Sequence, residues 1–132
     1  MARKLNVAVV GATGAVGETM LRVLEERKFP VANIYPLASE RSQGKTITFK
    51  GCELDVIDLA LFDFADIDIA LFSAGAQVSK QYAPHAAAAG CLVIDNTSYF
   101  RYDKDIPLVI PEVNPLRIKD YTTRNIIANP NC

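Results

Sequence analysis

The stretch LNVAVVGATGAVG, residues 5–17, constrains this chain more than any other. Leu5 to Val10 is a continuous apolar run, the pattern of a parallel strand covered on both faces. It leads directly into Gly11, Gly14 and Gly17. A chain leaving a buried strand through spaced glycines turns sharply into a helix and keeps its backbone bare. That arrangement suits a pyrophosphate, because the helix N-terminus offers free N–H groups and a partial positive charge. The spacing departs from G-x-G-x-x-G, with Thr13 standing where the second glycine would fall. Without a ligand, the same residues would make only a tight strand-to-helix turn.

The rest of the chain alternates in the same way. Val16, Met20, Val23 and Leu24, with Ala15, recur at helical spacing, and Glu18 lies four residues before Arg22 on the polar side. Arg27 and Lys28 suit a helix C-terminus, and Pro30 prevents continuation. Asn33 to Ala38 predicts a second strand, followed by SERSQGK as a polar loop. Thr46 to Phe49 and Glu53 to Ile57 predict a hairpin turning at Lys50-Gly51. Asp68 to Phe72 is a further buried strand and ends in SAGA. Ser79 to Ala89 predicts an alanine-rich helix closed by Gly90, with Pro84 shifting its start or kinking it. Leu92 to Asp95 is the next strand, and residues 96–123 read as loop, with Pro107, Pro111 and Pro115. The alternation predicts an α/β fold with a doubly wound, mainly parallel sheet, a Rossmann-like dinucleotide-binding domain.

Composition removes several functional classes. Half of the 132 residues are hydrophobic, 22% are charged and the net charge is −1, so no basic footprint for nucleic acid or an anionic membrane surface exists. The longest apolar runs, such as Ile67 to Ala76, contain Asp68 and are too short to span a bilayer. The opening MARKLNVAVVG reaches its glycine too soon for a signal peptide. Cys52, Cys91 and Cys132 are odd in number and widely spaced, which predicts neither a disulfide framework nor a zinc site. A reducing cytoplasm is the expected compartment.

Candidate functional residues gather at predicted strand ends. Gly11, Thr13, Gly14, Ala15 and Val16 form the glycine turn. A carboxylate about 20 residues beyond the glycines would hold a ribose hydroxyl, whereas an arginine admits a 2′-phosphate. The segment ASERS carries both, as Glu40 and Arg41. Ser39 and Ser42 beside the guanidinium make a phosphate cradle and favour NADP; a solvated Glu40–Arg41 pair is the alternative. Ser73, Ala74 and Gly75 are small residues where the middle of a dinucleotide would pass. In DNTSYFR, Asn96, Thr97 and Ser98 are short donors and acceptors, and Arg101 is either an anion clamp or a surface arginine. His85 lacks partners at helical spacing and reads as solvated. Cys91 reads as a packed thiol, and Cys52 has no supporting motif. Cys132, after Asn-Pro-Asn, is either an incidental thiol or a nucleophile.

The segments GATGAVGE, ASERSQGK, FSAGAQVS, VIDNTSYFR, PLVIPEVNP and IIANPNC, in this order, resemble the amino-terminal part of bacterial aspartate-semialdehyde dehydrogenases. The likeness spans essentially the whole chain. N-acetyl-glutamyl-phosphate reductases share the glycine turn and the cysteine chemistry but not Asn-Pro-Asn-Cys. The resemblance implies NADPH-dependent reduction of L-4-aspartyl phosphate to L-aspartate 4-semialdehyde and phosphate, in the synthesis of lysine, threonine, methionine and isoleucine. It implies that Thr13 to Val16 meet the pyrophosphate, Arg41 and Ser42 the 2′-phosphate, and Arg101 the substrate phosphate. Cys132 would be the acylated nucleophile, with Asn131 as its neighbour positioning the substrate. It further implies that residues 1–132 are the NADP-binding domain of a longer two-domain enzyme. The substrate and dimerisation domain, which builds a homodimer or dimer of dimers and carries the catalytic histidine, would lie beyond. The other expectations are a free-standing NADP-binding module without catalysis and an N-acetyl-glutamyl-phosphate reductase, which differs in substrate only.

Overall fold

The computed structural model describes residues 3–130. Cys132 and Asn131 lie outside that range. The main sheet has six strands, β1 (Leu5–Val10), β2 (Val31–Ala38), β5 (Ile57–Asp58), β6 (Ile69–Phe72), β7 (Leu92–Asp95) and β8 (Ile126–Ala128). Their order is β5-β2-β1-β6-β7-β8, and every pair is parallel. Helices α1 (Ala15–Glu26) and α2 (Ala76–Ala88) cover its faces. The central strand alternates between them: Val7 and Val9 pack in the cluster containing Leu21 of α1, while Ala8 and Val10 join Ala83 and Ala86 of α2. This is the doubly wound arrangement, with one apolar layer on each face.

A separate antiparallel hairpin, β3 (Thr46–Phe49) and β4 (Cys52–Asp55), turns at Lys50-Gly51 as expected. Both turn residues have positive φ, +52° and +77°, the combination whose twist matches a two-residue hairpin. The expected strand to Ile57 divides: Ile57 leaves the hairpin and pairs with Leu37 in the main sheet.

Four other expectations change. Helix α1 is rotated about its axis. Gly17 and Leu21 are its buried residues and Met20 and Leu24 pack partly, while Val16 and Val23 are exposed. Close contact of Gly17 with the Gly11 carbonyl sets that phase, because a Cβ at position 17 would lie 2.8 Å from the Gly11 carbonyl carbon. Arg22 pairs with Glu26 at 3.6 Å rather than with Glu18. Strand β2 begins two residues early, at Val31, and the loop after it contains a 3-10 turn over Glu40–Ser42. Helix α2 begins at Ala76, with Gly75 as its N-cap at φ +100°, and runs through Pro84. It ends as expected on Gly90: Gly90 N–H donates to Ala87 O and Cys91 N–H to Ala86 O, at 3.1 Å each, a Schellman closure. Finally, the segment read as loop holds a 3-10 stretch over Pro115–Thr123, and β8 follows it.

Candidate functional site

The chain passes from β1 to β2 on one side of the sheet and reaches β6 on the other, so β1 and β6 flank the switch point. Parallel sheets bind ligands at such crevices, beyond the carboxyl ends of the strands. A cleft of about 530 Å³ lies there. Gly11, Thr13 and Gly14 form one wall, residues 38–42 a second, and Ser73, Ala74, Val78 and Tyr82 a third.

The glycine turn is shaped by close approaches. Gly11 has φ +93°, and a Cβ there would meet Ser73 Oγ at 3.0 Å and Ala74 N at 3.1 Å. Gly14 differs. Its φ is −84°, and an added Cβ would meet only Gly11 O, at an ordinary 3.5 Å. Nothing among the described residues requires glycine there, yet Gly14 borders the cleft at the mouth of α1, where a side chain would take up ligand space. No side chain caps α1, and Glu18 N–H is the donor to Gly14 O. The preceding N–H groups of Ala15, Val16 and Gly17 therefore stay available to an anion. These residues fit the pyrophosphate of a dinucleotide.

At the cleft's far end, Arg41 and Glu40 are exposed, and neither is in an ion pair among the described residues. Both are solvated, as the alternative has them, and Arg41 borders the cleft. Ser42 is buried, and its hydroxyl lies 3.3 Å from Thr13 Oγ1. That contact joins the glycine turn to the end of β2. Ser39 is exposed beside it. Ser73 turns its hydroxyl to Val10 O at 3.2 Å, which ties the ends of β1 and β6 together.

The end of β7 is constructed otherwise. Asp95 is fully buried, accepting from Ser79 Oγ at 2.8 Å, Thr97 N at 3.0 Å and Thr97 Oγ1 at 2.9 Å. Its main-chain oxygen accepts from Asn129 N at 3.0 Å. Arg101 is half-buried, donating from Nε to Asn129 O at 3.2 Å and from Nη2 to Asn96 O at 3.0 Å. Among the described residues no carboxylate pairs with it. An arginine oriented by two neutral carbonyls keeps both its positive charge and the rest of its fork for an external anion. Ser98 is exposed three residues earlier. Asp95, Ser79 and Asn129 were not singled out in the sequence. The available signal was a carboxylate closing an otherwise apolar strand.

Among the described residues no cluster of side chains could hold a metal ion, and no helix is long and apolar enough to cross a membrane. His85 is exposed on α2, as expected. Cys91 is buried, and burial, with Asp68 adding to it, pushes its thiol up to about 12.

Residues 6–121 match the family model described as semialdehyde dehydrogenase, NAD binding domain. The chain belongs to that family. Among its curated relatives is the aspartate-semialdehyde dehydrogenase of Legionella pneumophila, 67% identical over all 132 residues and 38% of that protein's length. The semialdehyde dehydrogenase domain also superposes on solved structures. Aspartate semialdehyde dehydrogenase II of Vibrio cholerae complexed with ASA matches with a TM-score of 0.96 and 61% identity, over 98% of this chain and 42% of that one. The Candida albicans enzyme with NADP matches at 0.76 and 27% identity, over 96% and 42%. The chain thus spans about two-fifths of the length of these semialdehyde dehydrogenases.

Proposed function

We propose that this chain is the NADP-binding domain of a longer, two-domain cytoplasmic enzyme. That enzyme reduces L-4-aspartyl phosphate to L-aspartate 4-semialdehyde and phosphate, and assembles as a homodimer or dimer of dimers through its second domain. The observation that carries the reading is the cleft at the β1–β6 switch point. It has a bare glycine turn at one end and the exposed Arg41 at the other, in a chain 67% identical to an aspartate-semialdehyde dehydrogenase.

In this reading the N–H groups following Gly14, with Gly11 and Thr13, bind the pyrophosphate. Arg41, Ser39 and Ser42 take the 2′-phosphate, and the small residues Ser73, Ala74 and Gly75 let the dinucleotide pass. Bound nicotinamide supplies the hydride. Arg101, with Ser98 nearby, holds the substrate phosphate and balances its charge as it leaves. Cys132, a thiolate in the complete enzyme, attacks the acyl carbon; the C–S bond forms as the bond to phosphate oxygen breaks. Asn131 orients the acyl group beside it.

The test is titration of the full-length enzyme and its Arg41→Ala variant with NADP and NAD. Charge-assisted hydrogen bonds contribute about 1.5–3 kcal/mol each, so NADP affinity should fall about tenfold or more while NAD affinity holds. Unchanged NADP affinity would place the ribose reader elsewhere. Cys132→Ala should abolish turnover without weakening NADP binding, and retained turnover would remove the nucleophile assignment.

A further inference from the structure

The reading of Arg101 as the phosphate-binding group leaves open what aims it. Its two fixed contacts are main-chain carbonyls, of Asn96 at the end of β7 and Asn129 at the end of β8. Those residues are 33 positions apart in sequence, and their side chains meet directly: Asn129 Nδ2 donates to Asn96 Oδ1 at 2.7 Å. The amide's orientation follows from its surroundings. Asn129 Nδ2 also lies 3.1 Å from Pro130 O, which can only accept, so the nitrogen occupies that side and the oxygen the other. Among the described residues Asn129 Oδ1 is then buried without a partner, an arrangement that costs free energy. A side chain kept in place at such a cost, with its amide nitrogen held between Asn96 Oδ1 and Pro130 O, points to a role in geometry.

We propose that Asn129 is a positioning residue for the phosphate-binding arginine, its amide bridging to Asn96 so that the two carbonyls aiming the Arg101 guanidinium stay in register. The inference rests on the function proposed above. Without the bridge, the exit of β8 is tied to β7 by Asn129 N–H on Asp95 O and by the strand pairing that precedes it. The carbonyl of residue 129 can then rotate away, and the fork loses its second anchor.

The experiment measures the full-length enzyme in the phosphorylating direction, with L-aspartate 4-semialdehyde, NADP and inorganic phosphate. Asn129→Ala should raise the KM for phosphate about tenfold, a typical effect of losing one oriented charged contact. NADP affinity, read by direct titration, should stay within about twofold of wild type. Asn96→Ala removes the bridge from its other end and should reproduce the effect; it decides the matter if Asn129→Ala does not fold. In an Arg101→Lys background, where no fork remains to be aimed, Asn129→Ala should add almost nothing. Equal losses of phosphate and NADP affinity would make Asn129 merely structural, and an additive effect in the Arg101→Lys background would separate it from Arg101; either overturns the proposal. If Arg101→Lys alone leaves the phosphate KM unchanged, the fault lies in the assignment of Arg101 itself. If Arg101→Lys raises it and Asn129→Ala and Asn96→Ala do not, only the positioning role fails.

Discussion

The ends of β1 and β7 lie two strands apart in the same sheet and are made on opposite plans. At β1 the site consists of missing side chains: Gly11 and Gly17 pack backbone against backbone, and Gly14 leaves the mouth of α1 bare. At β7 it consists of side chains occupied with one another: Asp95 with Ser79 and Thr97, and Asn129 with Asn96. The first end should tolerate no added atom at Gly11 or Gly17, and the second no removed one. An end built from backbone suits a ligand recognised by its phosphates and its thickness. An end built from side chains suits one that must be held at a fixed point.

The sharpest way to break the contrast is to add one carbon at the glycine end. A Cβ at residue 17 would collide with the Gly11 carbonyl and come within 2.9 Å of Ala12 Cα. Gly17→Ala should therefore cost about 3 kcal/mol or more, read as a drop in the denaturant midpoint of the full-length protein. A cost below about 1 kcal/mol would mean that α1 slides freely on β1.

Removing atoms at the other end should come next in size. Asp95→Ala strands the Ser79 hydroxyl and two donors of Thr97 in the interior, which should cost about 2–4 kcal/mol. Asp95→Asn, which keeps an acceptor, should recover most of it. If the alanine variant melts with the wild type, the network is ornamental and the comparison collapses.

Ser42→Ala is the converse trial, a removal at the end defined by absence. It deletes only the hydroxyl facing Thr13 and should cost about 1 kcal/mol or less in the same unfolding measurement.

The last trial reads pH rather than packing and serves as a reference from outside both ends. Cys91, just before β7, titrates near 9.0 when exposed and about 12 when folded. The unfolded chain therefore loses the proton first, and stability declines as pH rises from 9.0 towards 12. In Cys91→Ala that decline should flatten. Iodoacetamide should modify the exposed Cys52 in the native protein and reach Cys91 only on unfolding.

What the sequence made legible follows the same division. The glycine end could be read because its causes are local: an apolar run, then glycines, then a helix. The Lys50-Gly51 turn was equally plain. The phase of α1 was not, because Val16 and Val23 are as apolar as Leu21, and only the meeting of Gly17 with Gly11 decides which face turns inward. Strand β8 was missed because it is three residues long and exists through pairing with β7, more than thirty positions earlier. The network at β7 was hidden for the same reason. Asp95 and Asn129 are ordinary polar residues until the sheet brings their strands together.

The strand order has a consequence for how such a sheet is made. Taken in order of synthesis, β1 stands alone, β2 joins one side of it and β5 the outside of β2; β6 then joins the other side of β1, β7 the outside of β6, and β8 the outside of β7. No later strand must wedge itself between two that are already paired. A chain emerging from its amino terminus can keep each finished pairing while the next is added, so the sheet grows outward from its oldest strand like a fan opened from its central rib.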